Sequence, residues 1–190
     1  MKKIAVVFQS KYGATKKYAQ WIAEALDCDL LERKNVKAED LNAYDTLIYG
    51  GGLYAGGVSG FEVIYKNFNK IADKNLILFT CGLADPQKIE NTDSIKVSLK
   101  KVLTPPMQEK VKIFHLRGGM DYAKLSMVHK AMMAMVYKAT LKKAPAERSA
   151  EDLEMLETYG KCVDFIDPSS IQPLVDYVRS LTADAQQEEI

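Results

Sequence analysis

The chain has 190 residues, 47% hydrophobic and 27% charged, the make-up of one soluble globular domain with a proper core. A net charge of +1 excludes the basic excess that nucleic-acid binding needs. No apolar run approaches the ~20 residues that span a bilayer. Cys28, Cys81 and Cys162 are odd in number, far apart and without CxxC spacing, so a disulfide framework and a cysteine metal site are both excluded. They point to a reducing, cytoplasmic compartment. His115 and His129 are the only histidines, and nothing pairs them with the cysteines as a zinc site. Lys3 leads straight into an apolar segment with no small-residue cleavage site after it, so no secretory signal is expected.

In chain order, Ile4 to Phe8 is an unbroken apolar run with β-branched residues, the pattern of a parallel strand buried on both faces. From Ala19 the period changes: Ala19, Ile22, Ala23 and Leu26 form one helical stripe. Between them lies Ser10-Lys11-Tyr12-Gly13-Ala14-Thr15, a hydroxyl-bearing loop at a helix N-terminus, where free N–H groups and the macrodipole favour an anion. Gly13 allows close backbone approach, and Ser10 and Thr15 add hydroxyl donors. The loop reads as a phosphate cradle or as an ordinary strand–helix turn capped by Ser10 or Thr15. Leu30 to Glu32 is a short second strand, and 34–42 mixes loop and short helix.

Tyr44 to Tyr49 is the third strand. The run Gly50-Gly51-Gly52-Leu53-Tyr54-Ala55-Gly56-Gly57 then reads as a loop, either a flexible connector or a wall placed against a ligand. Gly50-x-Gly52-x-x-Ala55 matches the dinucleotide fingerprint, but it follows the third strand and no helix opens at once, so that meaning is discounted. Phe61, Ile64, Tyr65 and Phe68 mark a helix. Leu76 to Phe79 is a fourth strand that runs into a loop over Thr80-Cys81-Gly82-Leu83-Ala84-Asp85. A polar helix from Thr92 to Leu103 is closed off by Pro105-Pro106, and Val111 to Leu116 is the fifth strand. Strand and helix alternate throughout, which implies right-handed crossovers and an α/β doubly wound sheet of five parallel strands in the order 2-1-3-4-5.

After the fifth strand a glycine loop, Arg117 to Tyr122, leads to a long helix from Ala123 to Lys142. Leu125, Val128, Met132, Met135 and Val136 are expected along one face, and Pro145 ends it. The stripe either covers the sheet edge or offers a methionine-rich, lysine-flanked surface to a quinone, a porphyrin or a membrane. Ser149 caps a further helix that starts with acids and stops near Gly160. Asp167 to Ser170 opens the last helix, with the stripe Ile171, Leu174, Val175, Val178 and Leu181, and the tail Ala183 to Ile190 is polar and frayed. In an open parallel sheet a ligand sits outside the carboxyl ends of the strands, where the winding reverses, so the loops at 10–15, 50–57 and 80–85 converge on one crevice.

Ser10-x-x-Gly13-x-Thr15 with its following stripe resembles the first loop and helix of the flavodoxins. Tyr44 to Gly50 with its aromatic-bearing loop is similar to their third strand and flavin-flanking loop. The likeness covers about residues 2–116 and 167–181. The segment from Leu116 to Lys143 resembles the branch that includes menaquinone-dependent protoporphyrinogen oxidase. The resemblance implies one flavodoxin-like domain over 1–190, with 117–166 inserted before the last helix, that binds FMN non-covalently and transfers electrons, as an FMN-dependent oxidoreductase or an electron carrier. It implies that Ser10, Lys11, Tyr12, Gly13, Ala14 and Thr15 hold the phosphate. The ring would lie between Gly51, Gly52, Leu53, Tyr54 on one side and Thr80, Cys81, Gly82 on the other. No residue is expected to act as acid or base and no metal is expected. A thiol at Cys81 beside a flavin is either redox-active or a small filler. The partners implied are a redox protein or a small-molecule or quinone acceptor, with peripheral membrane contact through 123–143 and no nucleic acid. Two alternatives stand beside this: an oxidase of the protoporphyrinogen type using a quinone at the membrane surface, and a flavodoxin-like binding module without flavin.

Overall fold

β1 (Ile4–Gln9) begins the sheet because its side chains are apolar on both sides, and the pleat sends Val6 and Phe8 one way and Ala5 and Val7 the other. The computed structural model describes residues 3–54 and 56–187, with side chains to residue 183. α1 (Ala14–Leu26) follows, then β2 (Asp29–Glu32), two 3₁₀ turns, β3 (Thr46–Tyr54) and the two-residue β4 (Gly57–Val58). Two single-turn helices come next, α2 (Glu62–Tyr65) and α3 (Phe68–Ile71). β5 (Asn75–Gly82), α4 (Ile89–Leu99), α5 (Pro105–Lys110) and β6 (Val111–Arg117) complete the sheet. Its five parallel strands stand in the order β2-β1-β3-β5-β6, with β4 antiparallel beside the end of β3. This is the doubly wound α/β order expected from the alternation of periods.

Each face of the sheet has its own apolar layer. On one face Val6, Phe8, Ile48, Ile77 and Phe79 meet Tyr18, Ala19, Ile22 and Ala23 of α1. The same layer takes in Leu174, Val175 and Val178 of α8 (Gln172–Gln187). On the other face Ala5, Val7, Leu47, Tyr49, Leu76 and Leu78 meet Phe61, Ile64, Ile71, Leu99 and Met107. The Tyr18 hydroxyl locks three distant segments. It donates to the Arg117 carbonyl at 2.6 Å and accepts from the Asp167 N–H at 3.1 Å, which ties α1 to the end of β6 and the start of α8.

Several sequence expectations need correction. Gly50, Gly51 and Gly52 are not loop. They continue β3, paired with Phe8 and Gln9 of β1 and with Phe79, Thr80 and Cys81 of β5. Thr80, Cys81 and Gly82 are likewise strand. The helix expected from Phe61 is broken at Lys66-Asn67, and Tyr65 is exposed while Ile71 is buried. Pro105 and Pro106 do not merely close the preceding helix. They occupy the first positions of α5, where a missing N–H costs nothing.

The 117–166 segment contains an antiparallel ribbon absent from the sequence reading, β7 (Gly119–Asp121) with β8 (Cys162–Asp164). Between them lie α6 (Met127–Lys142) and α7 (Ala150–Thr158). A run of three residues is too short to show a period, which hid both strands. Arg117 pins the segment to the sheet. Its Nε donates to the Leu83 carbonyl at 2.9 Å, its guanidinium lies 3.4 Å from Glu154 of α7, and it stacks on Phe165 with 3.7 Å to the ring centroid.

α7 opens with a reciprocal cap: Asp152 N–H donates to Ser149 Oγ and Ser149 N–H to the Asp152 carboxylate. The Lys143 ammonium at 2.7 Å, with that N–H, holds the Asp152 carboxyl down to about 2. A carboxyl depressed from its unfolded value of about 3.9 adds stability above that pH and loses it as pH falls towards 2. Asp152→Asn keeps the Ser149 cap but loses the charge-assisted bonds to Lys143 and to the Ser149 N–H, and is therefore expected to lower Tm at pH 7 by about 2–4 °C, the effect of about 1 kcal/mol in a chain this size. Thermal melts against pH check this: the gap to wild type closes between about pH 4 and pH 2.

Candidate functional site

The winding reverses between β1 and β3, so the chain after β1 and the ends of β3 and β5 all emerge at one edge of the sheet. There a cavity of about 440 Å³ opens, within the range of small-molecule sites. Ser10, Tyr12, Ala14 and Thr15 form its floor at one end. Gly52, Leu53 and Tyr54 come from β3, Cys81, Gly82 and Leu83 from β5, and Gly118, Gly119 and Met120 from the chain leaving β6. The remaining wall is Leu125 with His129, Met132, Met133, Met135 and Val136 of α6. Among the described residues no carboxylate lines it.

The floor is built to accept an anion. Gly13 precedes α1 with φ +99°, a conformation that L side chains rarely adopt. Its N–H closes the loop on Ser10 Oγ at 3.1 Å. The first bond into the helix is from Lys17 N–H to the Gly13 carbonyl at 3.1 Å. The N–H groups of Ala14, Thr15 and Lys16 find no acceptor among the described residues, no side chain caps the helix, and its first turn carries no acid. Three free amides at the positive end of a helix of 13 residues fit a phosphate dianion.

Of the residues named for the site, Ser10, Tyr12, Ala14, Thr15, Gly52, Leu53, Tyr54, Cys81 and Gly82 border the cavity. Four do not. Lys11 and Gly13 face an adjoining cleft of about 580 Å³, shared with Lys17, Lys124, Asp121, Asp164 and Cys162. Gly51 sits under Val58 and the Ser59 carbonyl. Thr80 is buried and hydrogen-bonds His115 Nδ1 at 2.7 Å, away from the cavity, because β5 remains a strand there and its side chains alternate. Thr15 is also more buried than a surface donor should be, and its hydroxyl reaches the Cys81 thiol. Burial pushes that thiol up to about 12, so Cys81 stays protonated near neutral pH and is no nucleophile. Gly118 passes close over it: a Cβ there would stand 2.9 Å from Cys81 Sγ.

The 80–85 turn supplies no aromatic wall, and α6 takes its place. The expected apolar stripe turns mostly to the crevice and not to the sheet edge: Leu125, Met132, Met135 and Val136 line the cavity, and Val128 is exposed outside it. His129 and Met133 join that wall, across the crevice from Leu53 and Tyr54. The His129 ring lies on Tyr54, with centroids 5.0 Å apart and planes 31° apart. His129 Nδ1 is 2.7 Å from the Tyr12 hydroxyl, and Ser126 N–H donates to the same oxygen at 3.3 Å. Lys11 Nζ is 3.5 Å from Nε2. An ammonium can only donate, which assigns Nε2 as acceptor and Nδ1–H as the donor to Tyr12. Desolvation, then Lys11, lowers the His129 pKa and favours this neutral form. Tyr12 thus ties the anion loop to the helix that roofs it. Sequence reasoning missed His129, Leu125 and Gly118 to Met120 as wall residues. The one available signal was histidine set among methionines, which periodicity alone cannot orient. Among the described residues no group of three His, Cys, Asp or Glu is placed to hold a metal, and no helix is long and apolar enough to cross a membrane.

A family model described as a flavodoxin domain matches residues 5–146. No curated protein matches the sequence. Among solved structures the chain is similar to flavodoxin 1 and flavodoxin 2 from Bacillus cereus. These are 18% and 24% identical, each with a TM-score of 0.41 and 60% of this chain covered, against 84% and 85% of theirs. It is also similar to Trp repressor binding protein from Bacillus subtilis, at 16% identity and a TM-score of 0.42, covering 61% of this chain and 83% of that one.

Proposed function

The chain belongs to the flavodoxin domain family, and on that premise we propose that it binds FMN non-covalently in the cavity at the strand ends and transfers electrons. The observation that carries this reading is the pairing of two features at one edge of the sheet. Three amides of α1, unpartnered among the described residues, adjoin a mostly apolar slot that no described carboxylate lines. Ala14, Thr15 and Lys16 would hold the phosphate through their N–H groups. Leu53 and Tyr54 would flank the ring on one side, Cys81 and Gly82 would lie beneath it, and α6 would cover it. When bound, FMN supplies one- or two-electron redox chemistry. The protein's part is to position the group, to exclude water with Leu53, Met132 and Met133, and to keep acids away from it.

The electron partner in this reading is a redox protein or a small apolar acceptor, and the compartment is the cytoplasm, which suits three free cysteines. A second reading, an oxidase like menaquinone-dependent protoporphyrinogen oxidase that passes electrons to a quinone, is favoured by one observation. The inserted helix gives the slot a methionine wall, adaptable enough for a bulky apolar molecule. Titration of the purified protein into FMN tests the common core of both. Quenching of FMN fluorescence with a shifted visible spectrum is the expected result. No quenching leaves the third alternative, a flavin-free binding module.

A further inference from the structure

Among the described residues, ten large hydrophobic side chains are exposed, and five of them lie on α6: Met127, Val128, Met135, Val136 and Leu141. Met127 is 83% exposed and Val128 67%, values that a helix covering a core would not show. Met127, Ala131, Met135, Lys138 and Lys142 are spaced four, four, three and four apart, which sets them on one outward face about 24 Å long. Five lysines and no acid occur from 123 to 143. Lys124 is paired with Asp121 and Lys143 with Asp152, whereas Lys138 and Lys142 have no acidic partner among the described residues. Four of the seven acids of the insertion lie on α7, as Glu151, Asp152, Glu154 and Glu157, and none lies on α6. α6 itself therefore carries no acid, and its outward face is apolar and cationic.

We propose that this face of α6 docks on an anionic lipid bilayer, with the helix axis in the plane of the interface. The interleaving of charge and apolar bulk selects the occupant. A second copy would bring Lys138 and Lys142 against like charges, and lysine is depleted from the cores of protein interfaces. A lipid surface suits both kinds of side chain at once: methionine and valine enter the headgroup–acyl boundary while lysine stems extend their ammoniums to lipid phosphates. The docked pole is the one that carries the crevice, since Met135 belongs to both the outward face and the cavity wall, and the exposed Val136 beside it lines the same cavity. The docking itself does not depend on the flavin reading.

The test is co-sedimentation of the full chain, with and without added FMN, on sucrose-loaded vesicles of phosphatidylcholine alone or with one quarter phosphatidylglycerol, at 0.1 M salt. Binding is expected to the anionic vesicles only, in both states. K138E/K142E is expected to weaken it at least tenfold, since each lysine near an anionic surface contributes severalfold. M127S/V128S is expected to weaken it comparably, and circular dichroism melts establish that both variants fold. Equal binding to both vesicle types, no binding, or a stable dimer in solution that buries α6 overturns the proposal. Binding that M127S/V128S leaves unchanged overturns the placement of the apolar face in lipid.

Discussion

FMN is expected to bind about 1,000-fold more tightly than riboflavin, which is the same flavin without the phosphate. The difference comes from the loop between β1 and α1. The free N–H groups of Ala14, Thr15 and Lys16 point at the helix terminus with nothing else to bond. Hydrogen bonds to a charged group are worth about 1.5–3 kcal/mol each, so two fully formed bonds give about 3–6 kcal/mol. The macrodipole adds up to about 1 kcal/mol at a half-exposed terminus, and salt takes some of it back. About 4 kcal/mol is a factor of about 1,000 in Kd. Parallel fluorescence titrations of the two flavins at one ionic strength measure it. Equal affinities would mean that the loop is an ordinary strand–helix turn closed by Ser10, and that any flavin is held by its ring alone.

Much of this architecture is written in local pattern. The run Ile4 to Phe8 and the stripe Ala19, Ile22, Ala23 and Leu26 each have one periodicity, and each forms the expected element. The strand order follows from alternating periods and handed crossovers, and the convergence of the three segments on one edge follows from the order. What failed to show is what depends on distant partners. The direction α6 faces cannot be read from its own residues, because apolar side chains occur almost all round it. It is set by the Tyr12–His129 hydrogen bond, 117 residues apart in sequence, and by α7 beside it. Thr80 reads as a loop hydroxyl but is strand, because β6 extends the pairing through His115 to Arg117. The ribbon β7–β8 joins segments 40 residues apart and leaves no pattern in either.

The glycine run at 50–52 is the sharpest case, and it yields the largest expected effect on stability. Sequence logic assigns consecutive glycines to a turn or a ligand wall. In β3 the neighbours take the side-chain space instead. Phe8, Gly50, Phe79 and Phe114 stand in one row across the sheet, and the Phe79 ring lies over Gly50 where a Cβ would have to be. Phe79 is 0% exposed and cannot swing out. Gly50→Ala is therefore an overpacking mutation at a central strand, expected to cost about 3 kcal/mol, the upper part of the usual range. Urea unfolding should show a lower midpoint at an unchanged m-value. In a Phe79→Leu background the same substitution should cost less than about 1 kcal/mol, since contacting residues couple by up to about 3 kcal/mol and the clash would be gone. An equal cost in both backgrounds would mean that Phe79 is not the reason a glycine stands at 50. If Gly50→Ala instead left stability untouched and weakened FMN binding, the run would be serving the ligand after all, as its loop-like composition suggests.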